Sequence, residues 1–187
     1  MATVQSESTV PAPGRRAPRQ FAVVLALAAV LVLVDQLTKW WAESKLTGRA
    51  PIQVVGELIQ LRLTYNPGAA FSIGTEYTWV LTLFAAATVA VITFVARRVR
   101  SRAWAVGLGL VLGGATTHLL DRLLREPGFA RGHVVDFIDY GPFVGNVADI
   151  ALVLGVALTM VLSLRDIPMS GPAAEPATAP EQPAATP

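Results

Sequence analysis

The chain has 187 residues, 53% of them hydrophobic and 15% charged, with a formal net charge of +2 and no cysteine. A soluble domain carries about 25% charged residues, so this balance points to a membrane protein, and the length leaves room for one compact bundle. Disulfides, thiol nucleophiles and cysteine metal sites are excluded. No basic run interleaved with aromatics supports nucleic-acid binding.

Residues 1–19 are polar and proline-bearing and are expected to form a disordered tail. An apolar stretch over 21–41 follows, long enough for a bilayer core of ~30 Å, which takes about 20 helical residues. It is not read as a cleaved signal peptide, because Asp35 and Lys39 continue the helix where a cleavage site would fall. Those two residues are four apart on one helix face and are expected to pair. Pinning the helix to the bundle and touching a substrate are both open roles for them. In the outer loop, 42–76, Ile59, Leu61, Leu63 and Tyr65 alternate with Gln60, Arg62 and Thr64, the period of a half-buried strand. Asn66-Pro67-Gly68 reads as a turn, after which residues 70–73 are expected to pair back and make a small sheet on the outer membrane surface. Trp40, Trp41, Tyr77 and Trp79 suit an interfacial aromatic belt on that side.

A second span is predicted over 77–96 and a third over 103–124, separated by Arg97, Arg98, Arg100 and Arg102. Gly109 and Gly113 have the small-xxx-small spacing that lets membrane helices approach closely. Thr117, His118 and Asp121 can share the inner face of the third span, with Arg122 next. With two histidines and no His-Glu-x-x-His, no metal site is expected, and His118 reads as a hydrogen-bonding neighbour. Pro127 and Gly128 mark a turn, Asp136 and Asp139 fall in the loop after it, and a fourth span is predicted over 144–164. Asn146 and Asp149 lie in its first turns, where Asn146 suits a cap and the helix dipole favours the carboxylate. Residues 167–187 are rich in Pro, Ala and Glu and are expected to be disordered.

Orientation follows from Arg15, Arg16 and Arg19 before the first span, the cluster at 97–102, and Arg165 after the fourth. These lie on one side, which is therefore expected to be cytoplasmic, with both termini there. Asp35 then lies roughly 21 Å along its helix and Asp121 roughly 27 Å along its own. Asp35, Asp121, Asp136, Asp139 and Asp149 thus collect at the outer end. An ionised side chain at membrane depth costs roughly 2.5–3.5 kcal/mol on insertion scales, so such residues usually carry function. Two nearby carboxylates share a proton: the ionised one can take a proton from water while the other polarises a carbonyl. Spacing nominates Asp149 with one of Asp121, Asp136 or Asp139, and does not choose among them.

Five ordered motifs resemble the lipoprotein signal peptidases, or signal peptidase II. They are Asp35-Gln36-Leu37-Thr38-Lys39; Asn66-Pro67-Gly68-Ala69-Ala70-Phe71-Ser72; Gly113-Gly114-Ala115 with Asp121-Arg122; Gly132-His133-Val134-Val135-Asp136-Phe137; and Asn146-Val147-Ala148-Asp149. The resemblance spans about 21–164. It implies an all-α membrane protein of four transmembrane helices with a small extracytoplasmic sheet or cradle. It also implies an aspartic endopeptidase of the bacterial inner membrane that removes signal peptides from diacylglyceryl-modified prolipoproteins. It would make Asp136 and Asp149 the catalytic pair, and Asp35, Lys39, Asn66, Gly68, His118, Asp121, Arg122 and Asn146 supporting or substrate-contacting positions. No cofactor is implied. The expected partners are lipid-modified prolipoproteins and membrane lipids, and a monomer is expected.

One motif departs from the pattern. Thr117 and His118 stand where the family usually has Gly and Asn, and that asparagine lies beside the family's active site. A catalytically weakened or inactive member acting as a membrane scaffold is therefore one competing reading. A small proton-coupled transporter is another, since intramembrane carboxylates can relay protons. Transporters place the site near the midplane, often at an internal repeat. This chain has no repeat, and its acids gather at one end.

Overall fold

The structure, a computed structural model, describes residues 16–68 and 77–170, so the expected pairing of residues 70–73 and the tails 1–15 and 171–187 lie outside the described residues. In chain order it has α1 (Arg16–Leu46), β1 (Ile52–Val55), β2 (Ile59–Asn66), α2 (Thr78–Ala96), α3 (Arg102–Leu124), β3 (Val134–Asp139), β4 (Val144–Gly145) and α4 (Val147–Leu164). The four helices are long and apolar enough to cross a membrane. The strands form one antiparallel sheet in the order β1-β2-β3-β4. This is the expected bundle of four apolar helices carrying a small sheet.

α3 is the central helix: 56% of its apolar window is buried inside the protein, against 11% for α2. Small residues make this possible. A methyl group built on Gly113 would come 2.7 Å from Leu31 Cδ2 and 3.1 Å from Ala28 Cα of α1. One on Gly114 would come 2.5 Å from Leu152 Cγ and 2.9 Å from the Ala148 carbonyl of α4. Adjacent glycines therefore let α3 approach a different helix on each side.

α1 runs further at both ends than the hydropathy pattern suggests. It begins at Arg16, within the polar tail, and continues to Leu46, through the start of the expected outer loop. Nothing between Ala42 and Leu46 breaks a helix. Gly48, at φ 68°, supplies the left-handed turn that ends it, and the Arg49 N–H donates to the Leu46 carbonyl at 3.1 Å.

β2 forms where the alternation predicted a strand but follows it only in part: Leu61 and Leu63 are half-buried around an exposed Arg62, whereas Tyr65, expected on the covered face, is exposed beyond the register shift between Leu61 and Thr64. Asp136 and Asp139 differ from expectation: they lie on β3, not in a loop. Val144 and Gly145, expected to open the fourth helix, form β4 instead. Both strands depend on distant partners, Val134 pairing with Asn66, Asp136 with Thr64, and Ile138 with Gly145. Val134, Val135, Asp136 and Phe137 are all buried. A strand covered on both faces shows no alternation to read.

The sheet packs on the end of α1, where Phe137 joins Ala42, Leu46, Leu61, Leu63 and Val147. α1 and α3 finish at this end and α4 begins there, so it gathers the acids. At the opposite end the described residues just beyond α4, 165–170, fold back against the bundle, while the rest of the tail lies outside the described residues. Trp104 Nε1 donates to the Ile167 carbonyl at 2.8 Å, and Arg100 N–H to that of Met169 at 2.9 Å. Met169 packs against a core of Val24, Ala96, Val99 and Ala105.

Candidate active site

The site is organised by the first turn of α4. Asn146 is the N-cap: its side-chain oxygen accepts from the Asp149 N–H at 3.1 Å, and Asp149 Oδ2 accepts from the Asn146 N–H at 2.8 Å. This reciprocal capping box satisfies two N–H groups that the helix leaves open. It also fixes Asp149, whose other oxygen, Oδ1, lies 3.0 Å from His118 Nε2 on α3. The Asn146 amide does more than cap. Its Nδ2 donates to Asp136 Oδ1 at 2.6 Å and to the Val135 carbonyl at 3.3 Å. Asp136 Oδ2 accepts from Asn66 Nδ2 at 3.1 Å. One asparagine thus binds both carboxylates, one through its side chain and the other through its backbone.

The two acids line a cleft of about 430 Å³, together with Asn66, Gly68, His118 and Arg122. Apart from Thr88 the rest of the lining is apolar and includes Leu81 and Phe84 of α2, Phe143, and Leu152 of α4. Phe84 is itself exposed, so the cleft opens beside an apolar outer face of α2. A second cavity of about 310 Å³ shares Asp136, Asn66, Phe143 and Val144 with the first and adds the polar Arg62 and Thr64. Asp136 therefore stands between an apolar recess and a polar one. Burial, and then the charge of Asp149, push Asp136 up to about 6, against the pull of the Asn66 and Asn146 amides and of His118. It is poised to hold a proton where an ordinary aspartate would have lost it.

Behind the cleft lies a second set of ionic groups. Lys39, fully buried, sits 2.7 Å from Asp35 Oδ2 and 2.7 Å from Asp121 Oδ2. Asp35 Oδ1 accepts from the Ala148 N–H at 2.9 Å, which ties α1 to the start of α4. Asp121 Oδ1 accepts from Gln36 Nε2 and Arg125 Nε, both at 2.9 Å, and Oδ2 also accepts from the Val135 N–H at 3.3 Å. Asp35, Lys39 and Asp121 join α1, α3, β3 and α4, and none lines the cleft. Of the two roles open to the Asp35–Lys39 pair, the geometry matches the pin.

Arg122 holds the cleft wall. Its guanidinium donates to the carbonyls of Pro67 and Gly132, at 3.3 and 3.4 Å, and to that of Gly68. The predicted turn is present: Gly68 N–H donates to Asn66 Oδ1 at 2.9 Å, and Asn66 is thereby aimed at Asp136. Asp139, nominated by spacing alongside Asp121 and Asp136, pairs with Arg62 at 2.8 Å near the surface. Thr117 is buried and bonds the Gly114 carbonyl within its own helix. Sequence reasoning missed Arg125, which bridges Asp121 and Glu43. Its position four residues after Asp121 was a usable signal. The apolar lining from α2 and Phe143 carried none.

A family model described as Signal peptidase (SPase) II matches residues 27–165. The chain belongs to the signal peptidase II family. The lipoprotein signal peptidase of Mycobacterium avium (strain 104) is 46% identical over 154 residues, covering 82% of this chain and 85% of that protein. That of Mycobacterium tuberculosis (strain H37Rv) is 44% identical over 159 residues, covering 84% and 77%. That of Leifsonia xyli is 43% identical over 152 residues, covering 80% and 70%. Among solved structures, a bacterial membrane enzyme determined in meso at 1.9 Å superposes with a TM-score of 0.67. It is 24% identical in sequence, and the match covers 78% of this chain and 94% of that one. A second such structure, at 2.3 Å, also gives 0.67 and covers 78% and 89%. At that identity the likeness speaks for the fold. The chain is therefore a multi-pass membrane peptidase with signal peptidase II function, and nothing favours the transporter or scaffold readings.

Proposed function

We propose that this signal peptidase II works as an aspartic endopeptidase, with Asp136 and Asp149 as its catalytic pair. The observation that carries this reading is Asn146, which binds both carboxylates at the polar end of an otherwise apolar cleft. The pair shares one proton. The ionised acid takes a proton from a water molecule held between them, and the protonated acid donates to the scissile carbonyl as the water attacks. Asn66, Asn146 and His118 hold the two carboxyl groups in place. Arg122 keeps the 66–68 turn and the loop before β3 together.

The substrates are prolipoproteins carrying a diacylglyceryl-modified cysteine. The names of the relatives support this, and so does the cleft, whose apolar lining beside α2 suits acyl chains and a signal helix arriving sideways from lipid. The enzyme lies in the bacterial inner membrane with both termini in the cytoplasm, on the side of the arginine cluster at 97–102, and the cleft faces the outer leaflet. It acts as a monomer and uses no cofactor.

The substrate reading is tested with purified enzyme and matched prolipoproteins with and without the diacylglyceryl group. Cleavage of the lipid-modified form at least tenfold faster is expected. Equal rates would reject recognition of the lipid.

A further inference from the structure

His118 lines the cleft, yet the hydrolysis outlined above gives it no step of its own. Four carboxylate oxygens face the reaction, and three of them accept from amide groups: Asp149 Oδ2 from the Asn146 N–H, Asp136 Oδ1 from Asn146 Nδ2, and Asp136 Oδ2 from Asn66 Nδ2. Amides neither gain nor lose a proton here. The fourth oxygen, Asp149 Oδ1, meets an imidazole nitrogen 3.0 Å away, which can donate or accept.

Among the described residues, the charged surroundings of His118 are few. Asp149 faces it from α4, and Asp136, from β3, is close enough to feel its charge. Arg122, on its own helix, is turned to the carbonyls of Pro67, Gly68 and Gly132. Lys39, from α1, is held by Asp35 and Asp121. Tyr140 lies within reach of the Asp149 charge. The α2 residues that line the cleft, Leu81, Phe84, Ala85 and Thr88, carry no charge. Among the described residues, the charged group that His118 contacts is therefore the Asp149 carboxylate, and an N–H aimed at it is a charge-assisted hydrogen bond.

We propose that His118 is a positioning residue which donates from Nε2 to Asp149 Oδ1, holding Asp149 as the carboxylate that accepts the proton from water and leaving the shared proton on Asp136. The proposal rests on the catalytic pair put forward above and assigns its two members different tasks. The raised proton affinity of Asp136 agrees with it.

In the first step the water oxygen bonds to the scissile carbon. One water proton passes to Asp149, and the Asp136 proton passes to the carbonyl oxygen, giving a neutral diol. In the second step the carbon–nitrogen bond breaks. Asp149 returns its proton to the leaving amine, and a diol hydroxyl returns one to Asp136. A carboxylic acid and an amine leave, and the pair is restored to its starting state with His118 still bonded to Asp149.

The test is the pH profile of kcat/KM for the full-length enzyme with a lipid-modified prolipoprotein. His118→Leu removes the donor, so its acidic limb should move to higher pH by about one unit, with kcat falling more than KM rises. His118→Gln supplies a donor that does not titrate and should bring the limb back toward its native place. If His118→Leu does not fold, His118→Ala takes its place in the comparison. A limb that stays put in the donor-free variant, or moves as far in His118→Gln, overturns the proposal. Asp149→Asn is run alongside: turnover by that variant would remove the catalytic pair itself. An inactive Asp149→Asn with an unmoved limb would remove only the task given to His118.

Discussion

Asp136 sits where its own ionisation is costly, and that cost can be measured apart from catalysis. Burial and the neighbouring Asp149 charge push it up to about 6 from an ordinary 3.8. Between about pH 4 and 6 the folded protein then keeps a proton that the unfolded chain has released. Stability therefore falls as pH rises through that window and levels off above it. The displacement corresponds to about 3 kcal/mol between the two protonation states. Asp136→Asn cannot ionise, so its stability relative to the native protein should improve by up to about 3 kcal/mol between pH 4 and pH 7. Thermal unfolding in detergent at the two pH values checks this, and an equal difference at both would contradict it. Spacing could not single out Asp136, because Asp121 and Asp139 offered the same chemistry at similar positions; only the family resemblance pointed to it. What separates the three is long-range: Asp121 is committed to Lys39, Gln36 and Arg125, and Asp139 to Arg62, while Asp136 meets Asn66 and Asn146.

The helices were legible because a membrane span states itself locally, in a run of apolar residues of fixed length. β2 was legible because Leu61, Arg62 and Leu63 alternate between covered and exposed, although Tyr65, past the irregularity in the pairing with β3, does not keep to that face. β3 and β4 were hidden, since each owes its existence to partners far along the chain. The role of small residues on α3 was half visible. Gly109 and Gly113 stood out by spacing with Gly114 beside them, but the contact of Gly114 with α4 did not. These positions should not tolerate a methyl group equally. At Gly109 it would meet Leu27: Cδ2, 2.9 Å away, can rotate aside, while Cβ at 3.1 Å must give by a few tenths of an ångström. At Gly114 it would also meet the Ala148 carbonyl at 2.9 Å, and backbone yields only if α4 moves. Gly114→Ala should cost about 1–3 kcal/mol and lower turnover, because α4 carries Asn146 and Asp149. Gly109→Ala should cost less and leave turnover near native. Unfolding and cleavage assays on the two variants check the ranking, and a smaller loss for Gly114→Ala would reverse it.

At the scale of the whole molecule, two sets of ionic groups are stacked at one end of an apolar bundle. The deeper set, Asp35, Lys39 and Asp121 with Gln36 and Arg125, holds α1, α3, β3 and α4 in fixed relation. The shallower set, Asp136 and Asp149 with Asn66, Asn146 and His118, faces the cleft. Every carboxylate so placed has a donor, as buried charges require, and on the proposed reading the division separates structure from chemistry. The five sequence motifs supply most of these groups in chain order, which is why the site was largely legible before its geometry. The partners Arg125 and Glu43, and the apolar wall from α2, fall outside those motifs and emerge only when the helices are packed. The central claim, that Asp136 and Asp149 together perform the cleavage, is tested most directly by measuring turnover of a lipid-modified prolipoprotein by Asp136→Asn and Asp149→Asn enzymes that remain folded. Loss of cleavage by at least about a thousandfold in each is the expected result, whereas substantial turnover by either would contradict it.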